Sequence, residues 1–493
     1  MNQRVEQEIS ATHSDVTGSY YYNHDIAPVP PSKRTWQTKD FIMLWVSLSA
    51  CITTYMLASS LIAEGMNWWQ AVLTIFIANV IVLIPILLNG QIGAKHGIPF
   101  PVYCRISFGL RGANIPAMLR AIVGCGWFGV QSWIGGQAIY HIALVFHPAW
   151  VNLPADYFSI NIIQLCSFLL FTAINAFIIY KGVECIRTIL NVNTPIMIIL
   201  SLALLGWAYW SAHGFGPILS QPSAFIAGGA KAGKFWVFFF PALTGMIGYW
   251  ATLSLNIPDF TRYAKSEKSE VIGQSIGLPI AMTLYAFIGV AVTSASIVIY
   301  GNAIWDPVAL IGKFTNPVVV VIAMTAIILA TISANIAANL VSPANDILHI
   351  WPQKLTFKTG GYIAIVIGIL MQPWKLVADP SGYIFKWLVA YSGLLGAIGG
   401  ILIVDYYFIR KTKVNINHLY QKNYEYWYYK GFNLLAIIAL LCGVAPCVPG
   451  FLGTVGLANV DTIWLRFYDY AWFISFAVAS VVYIGLTKLI AKS

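Results

Sequence analysis

Apolar residues in this chain come in long runs, not in the alternating or three-to-four spacing of half-buried surface elements. A hydrocarbon core about 30 Å thick needs roughly 20 apolar residues per helix. That rule predicts about twelve membrane helices, near 41–63, 69–92, 113–143, 160–180, 187–210, 235–257, 274–299, 316–342, 360–373, 384–408, 432–452 and 469–488. The ninth run is short, and Asn191, Asn193 and Thr194 interrupt the fifth. Residues 1–38 are polar and read as a tail ahead of the first run, with no signal-peptide pattern. Within the tail, Pro28-Val29-Pro30-Pro31 predicts an extended lead-in.

Composition narrows the class. Of 493 residues only 9% are charged and 58% are hydrophobic, with a mean hydropathy of +0.73. Soluble domains carry about 25% charge, so this chain cannot cover a water-exposed surface and reads as an all-α integral membrane protein. The net charge of +10 is scattered in ones and twos and not massed on a face, which excludes nucleic acid as partner. With the N-terminus inside, about 21 basic residues fall in inner segments and about 6 in outer ones, leaving Arg120 within the third run. That bias places both termini in the cytoplasm of a multi-pass protein of the cell membrane. The seven cysteines contain no CxxC, and the eight histidines no metal-ligand spacing, so neither a disulfide framework nor a metal site is expected.

Polar groups inside the runs carry the chemistry. Trp127 and Gln131 share one face of the third run. The pair reads equally as a core ring with a packing amide, or as a stacking platform with a donor–acceptor amide. In the eighth run Asn335 and Asn339 share a face. Asn335 alone reads best as interhelical glue, and the cluster with its hydroxyls as a site. The sixth run contains Thr244-Gly245-Met246-Ile247-Gly248-Tyr249-Trp250, which suits a helix that unwinds at mid-membrane. Ser47, Ser49, Ala50, Cys51, Thr53 and Thr54 make the middle of the first run correspondingly small and polar. Glu64, Asp259, Asp346 and Asp405 all fall near run ends. A mid-membrane charge would be costly and usually functional; its absence predicts a neutral, flat, polar ligand.

Gly228 through Lys234 matches GxxxxGK, but Phe235 follows where a P-loop needs Ser or Thr. Gly396 and Gly400 lie four apart inside a run and read as helix packing.

The chain resembles the nucleobase:cation symporter-1 family over nearly its whole length. The signposts are Lys33-Arg34-Thr35-Trp36, Asn89-Gly90, Gly97-Ile98-Pro99-Phe100-Pro101, Gly109 through Leu119, and Trp127 through Gln131. They continue with Asn256 through Arg262, Ala337 through Pro343, and Asp405 through Lys411. The resemblance implies a LeuT-type fold, with a core (39–408) of two inverted five-helix repeats, about 39–210 and 235–408. The segment 409–493 adds the last two helices and a cytoplasmic end. It also implies secondary transport of a small nucleobase-like heterocycle, uracil or allantoin first, by proton or sodium symport, without a cofactor. A hydantoin or a cytosine/thiamine-type permease is the alternative.

By the same resemblance Trp127 and Trp250 are the stacking rings, and Gln131 and Asn339 the amides. Tyr249 stands where a hydantoin carrier has glycine and should exclude bulky 5-substituents. A sodium site would fall on Ser47, Ala50, Ala330, Ser333 and Ala334. Ala334 supplies no hydroxyl there, which weakens a site of about five oxygens and makes proton coupling a competitor. A channel would need a repeated pore motif, and an intramembrane enzyme a nucleophile, carboxylate-pair or zinc set. Neither pattern occurs, and the full set of spans suits a monomer.

Overall fold

Each of the twelve apolar runs is helical in the computed structural model, which describes residues 18–181 and 183–490. The side chains of 183–194, 333 and 337 lie outside that description. Span 1 is Thr38–Ser49 plus Ile52–Ala63, span 2 Trp68–His96, span 3 Asn114–Phe146, span 4 Ile162–Lys181 and span 5 Val183–Ser211. Span 6 is Phe235–Tyr249 plus Ala251–Asn256, span 7 Glu267–Tyr300, span 8 Pro317–Asn339 plus Val341–Ile350, and span 9 Phe357–Leu370. Span 10 runs over Gly382–Ile409, span 11 over Leu434–Thr454 and span 12 over Ala471–Ile490. Among the described residues seven helices are long and apolar enough to cross a membrane alone, and the bent pair of span 1 makes an eighth. The other four runs are helical but broken, short or more polar.

Two boundaries differ from the hydropathy reading. Span 7 begins at Glu267, not near 274, because the Ser266 side chain accepts the Ser269 N–H and caps the helix there. Span 8 continues past 342 to Ile350 after a kink at Leu340.

Spans 1, 2 and 7 pack together, and the first half of span 6 joins them along span 2. Spans 3, 4, 8 and 9 form a second group centred on span 3, and span 12 packs along spans 10 and 11. The break in span 1 falls at Ala50 and Cys51, turns the helix by 59°, and leaves Cys51 extended. Small side chains at 49–51 let neighbouring helices support the exposed backbone. The break in span 6 falls at Trp250, after the glycines. Gly248 instead seats span 6 on span 10, where a Cβ would lie 2.6 Å from the Leu388 carbonyl.

The Asn89-Gly90 and Asn256–Arg262 motifs meet in space. The Asn89 amide donates to the Ser254 carbonyl at 2.7 Å, and the Thr261 hydroxyl to the Gly90 carbonyl at 2.7 Å. Gly93 lies one turn on, where a Cβ would come within 2.9 Å of Pro258 Cα and 3.0 Å of its carbonyl oxygen. Gly93→Ala should therefore push span 2 from the short helix Pro258–Thr261 that follows span 6 and cost about 1–3 kcal/mol. The expected readout is a lower melting temperature in detergent, with Gly485→Ala, which faces open space, melting like the wild type.

Candidate functional site

The breaks in spans 1 and 6 face spans 3 and 8 across a small cavity of about 50 Å³. The five residues expected to bind ligand, Trp127, Gln131, Tyr249, Trp250 and Asn339, all line it. Ser47 and Ala334 line it too. Ala330 faces a narrower crevice beside Cys51 and Thr331, and Ala50 is buried at the break but borders neither space. The Ser333 side chain lies outside the described residues.

Tyr249 organises the aromatic wall. Its ring meets Trp127 edge-on at 5.2 Å between centroids and Trp250 at 4.8 Å. A ligand stacked between the indoles must therefore share that space with Tyr249. The Tyr249 hydroxyl is held from span 1 by Thr53 Oγ1 at 2.9 Å and Thr54 Oγ1 at 3.0 Å, with Cys51 Sγ at 3.4 Å. This bond set ties the two broken helices together beside the cavity. A volume of about 50 Å³ accepts one or two waters and not a six-membered ring, so ligand entry requires these elements to part.

Sequence reasoning missed the support behind the rings. Trp127 Nε1 donates to the Tyr391 hydroxyl at 3.2 Å, and the Trp127 ring also touches Tyr383 and Trp387. These three aromatics recur every four residues on span 10, a one-face spacing that was available to find them. Trp45 packs edge-on against Trp250 at 5.1 Å.

The amides divide into two roles. Asn335 is fully buried and donates to Ser132 Oγ at 3.0 Å and the Phe128 carbonyl at 3.2 Å, fastening span 8 to span 3. Its own oxygen accepts from Asn339 at 3.2 Å, which leaves the Asn339 oxygen for the cavity. Gln131 Oε1 and Trp250 Nε1 are buried without a partner among the described residues. An unmet buried group costs about 1–3 kcal/mol, and a ligand with matching edges relieves it. No Asp, Glu, Lys or Arg lines the cavity.

The charged groups are buried elsewhere. Arg120 of span 3 pairs with fully buried Asp346 of span 8 at 3.3 Å. Asp405 takes Ser107 Oγ at 2.8 Å and Arg410 Nε at 3.2 Å. Glu270 is the carboxylate the hydropathy reading overlooked. The early start of span 7 carries it into the protein, fully buried, where the Gln274 amide donates to it and Gly90 leaves it room. Larger cavities of about 770 and 620 Å³ lie at the end of the molecule that carries the N-terminal segment. Unlike the small one, both carry cationic side chains, Arg111 and Lys422 in the first and Lys33 and Arg262 in the second.

Paired broken helices around a neutral, aromatic, amide-edged cavity are the arrangement of a membrane transporter of the LeuT type. The chain belongs to the family of permeases for cytosine/purines, uracil, thiamine and allantoin, whose pattern spans residues 28–475, and so it is a transporter of nucleobase-like substrates and not an enzyme. It is 42% identical to the purine-uracil permease NCS1 of Arabidopsis thaliana over 466 residues, 94% of this chain and 77% of the plant protein. It is 36% identical to the allantoin permease of Bacillus subtilis over 469 residues, 95% of this chain and 93% of that one. In fold it matches Mhp1, a nucleobase-cation-symport-1 family transporter solved closed around bromovinylhydantoin, at a TM-score of 0.76 and 22% identity over 96% of both chains. The structure of MhsT in complex with L-phenylalanine matches at a TM-score of 0.52 and 14% identity, over 90% of this chain and 97% of that one.

The two asparagines should separate in experiment. Asn335→Leu should lower the melting temperature of the ligand-free protein, at about 1–3 kcal/mol for the lost interhelical donors. Asn339→Leu, which leaves only the Asn335 oxygen unpaired and breaks no bond between spans 3 and 8, should lower it less and should in addition lose stabilisation by ligand. Equal melting of both ligand-free variants would show that the amides do not differ in role.

Proposed function

We propose that this permease imports a small, neutral, planar heterocycle, uracil or allantoin, across the cell membrane by alternating access in symport with a proton. The observation that carries this reading is the uncharged cavity in which Trp127, Tyr249 and Trp250 supply faces while Gln131 and Trp250 keep unmet polar atoms. A ring bearing adjacent N–H and C=O groups satisfies an amide at both its donor and its acceptor. The relatives named for uracil, purine and allantoin transport support the same ligand class. Tyr249, tied to span 1, favours an unsubstituted ring over a bulky 5-substituted hydantoin. The positive-inside bias supports cytoplasmic termini, and the full set of twelve spans supports function as a monomer.

The deciding experiment is counterflow of labelled uracil, allantoin, cytosine and hydantoin into proteoliposomes. Saturable exchange of uracil or allantoin is expected, and exchange of neither would overturn the substrate assignment. Trp127→Ala and Trp250→Ala should abolish saturable uptake. Core tryptophan truncation can itself cost about 3–5 kcal/mol, so folding is checked by size-exclusion and melting. Gln131→Leu and Asn339→Leu should each weaken ligand-dependent thermal stabilisation by about 1–3 kcal/mol. Retained stabilisation in either variant would remove that residue from the site.

Coupling to a proton rests on Ala334, which lines the cavity wall without offering a side-chain hydroxyl. A sodium ion at the span 1 break would have to rely on backbone carbonyls near Ser47, Ala50 and Ala330 and on the single hydroxyl of Ser333. Uptake should change little when choline replaces sodium and should quicken at acidic outside pH, since inward proton movement then drives import. Ala334→Thr should create sodium dependence by completing the oxygen set. Strict sodium dependence of the wild type would refute proton coupling while leaving the substrate assignment intact.

A further inference from the structure

The cavity of about 770 Å³ at the N-terminal end of the molecule lies where spans 3 and 11 begin. The two starts are stitched together, with the Gly431 carbonyl accepting the Arg111 and Gly112 N–H groups at 2.9 and 3.0 Å. The walls carry two cations, Arg111 and Lys422, and no Asp or Glu. Neither cation has a carboxylate partner among the described residues. Both instead rest on one ring, Trp427, with the guanidinium carbon 5.3 Å and the ammonium nitrogen 5.5 Å from its centroid. Both side chains are exposed, and two like charges gathered on one ring draw an anion more strongly than either does alone.

A neutral donor completes the polar wall. Arg105 Nε donates to His349 Nε2 at 2.9 Å, which places the ring proton on Nδ1, and that nitrogen donates to Asn114 Oδ1 at 2.8 Å. Asn114 has its oxygen occupied and its NH2 group left to offer. It also opens the 33-residue helix of span 3, whose positive end favours an anion. Arg111 spends Nε on the Tyr21 hydroxyl at 3.3 Å, which leaves its two terminal NH2 groups for a ligand.

The rest of the cavity is greasy and leads into the membrane. Ile115 and Met118 sit on its wall, and Ile122, next along the same face of span 3, is 42% exposed. Span 11 presents Leu434, Ile438 and Leu441, exposed by 50%, 45% and 64%. Two apolar stripes thus run from the basic rim along the lipid-facing surface. A soluble phosphate would use the cations alone, whereas a phospholipid uses both surfaces.

We infer that this cavity binds the phosphate headgroup of an anionic phospholipid, with the acyl chains lying along spans 3 and 11. The site is separate from the transport cavity and does not depend on which heterocycle is carried. By the positive-inside orientation it faces the inner leaflet, where anionic lipid meets basic side chains.

The test uses the full-length protein in detergent, titrated with phosphatidylglycerol or phosphatidylcholine and read by native mass spectrometry. The wild type should retain phosphatidylglycerol in preference to phosphatidylcholine. Arg111→Gln with Lys422→Gln should cut phosphatidylglycerol retention roughly 30-fold, the worth of two basic residues at a lipid surface. The same charge removed outside the cavity, in Lys413→Gln with Lys430→Gln, should leave it unchanged. Met118→Trp keeps the charges but fills the apolar wall, and should weaken phosphatidylglycerol retention as well. The inference fails if the wild type shows no preference, if both cavity variants retain phosphatidylglycerol fully, or if millimolar inorganic phosphate displaces the lipid completely.

Discussion

Inside hydrocarbon a backbone N–H or C=O without a partner costs several kcal/mol, so a helix may stop there only where protein or a filled cavity replaces the missing bonds. This permease stops two helices at mid-depth, and much of its architecture serves to make that tolerable. At the span 1 break the Cys51 N–H turns back to the Ser49 carbonyl at 2.9 Å, and at the span 6 break the Trp250 N–H returns to Ile247 at 3.2 Å. Cys51, Tyr249 and Trp250 at these breaks line the transport cavity. The same constraint places the site, because nowhere else in the membrane would broken backbone be stable without a ligand or water to meet it.

Tyr249 converts that static feature into a movable one. Its hydroxyl gathers Thr53, Thr54 and Cys51 of span 1, while its ring leans on Trp127 of the opposing helix group. Widening the cavity therefore means exchanging these contacts for contacts with a ligand. A planar heterocycle suits the exchange, since it can replace ring edges with a face and hydroxyl bonds with its own polar edge. Other couplings are more rigid. Asn335, the Arg120–Asp346 pair and the glycine contacts between span 2 and the Pro258–Thr261 helix hold neighbouring helices at fixed distances. Such buried pairs contribute position more than net stability.

The described part of the polar N-terminal segment is hydrogen-bonded to the rest of the protein. Val29 N–H bonds to Gly97, Trp36 N–H to Tyr263, and the Tyr420 hydroxyl to the Ile26 carbonyl, so residues 20–36 lie across the ends of several spans. The Lys33–Trp36 motif belongs to this crossing, with Arg34 donating to the Val29 carbonyl at 2.9 Å and the Lys95 carbonyl at 3.1 Å. The tail read from the sequence as a polar lead-in is, over these residues, part of the packed protein.

The membrane class and the helical positions of all twelve runs were legible in the linear pattern, because desolvating backbone in lipid forces long apolar helices whatever their neighbours are. The pattern marked Trp127, Gln131 and the span 8 amides as candidates without deciding between packing and binding, and it was the family resemblance that named all five cavity residues as ligand-binding. The glycines of span 6 were legible as special but not as to role. Only packing against span 10 shows that they serve close approach and that the helix breaks after them. Glu270 was hidden because its burial depends on the Ser266 cap and on space left by Gly90, a residue far away in sequence. The span 10 aromatics behind Trp127 and the hydroxyl clasp on Tyr249 were likewise invisible as partners. Hydrophobicity is a property each residue carries along the chain, whereas partnership exists only after distant segments meet, and it is partnership that decides how wide this site is and what must move to open it.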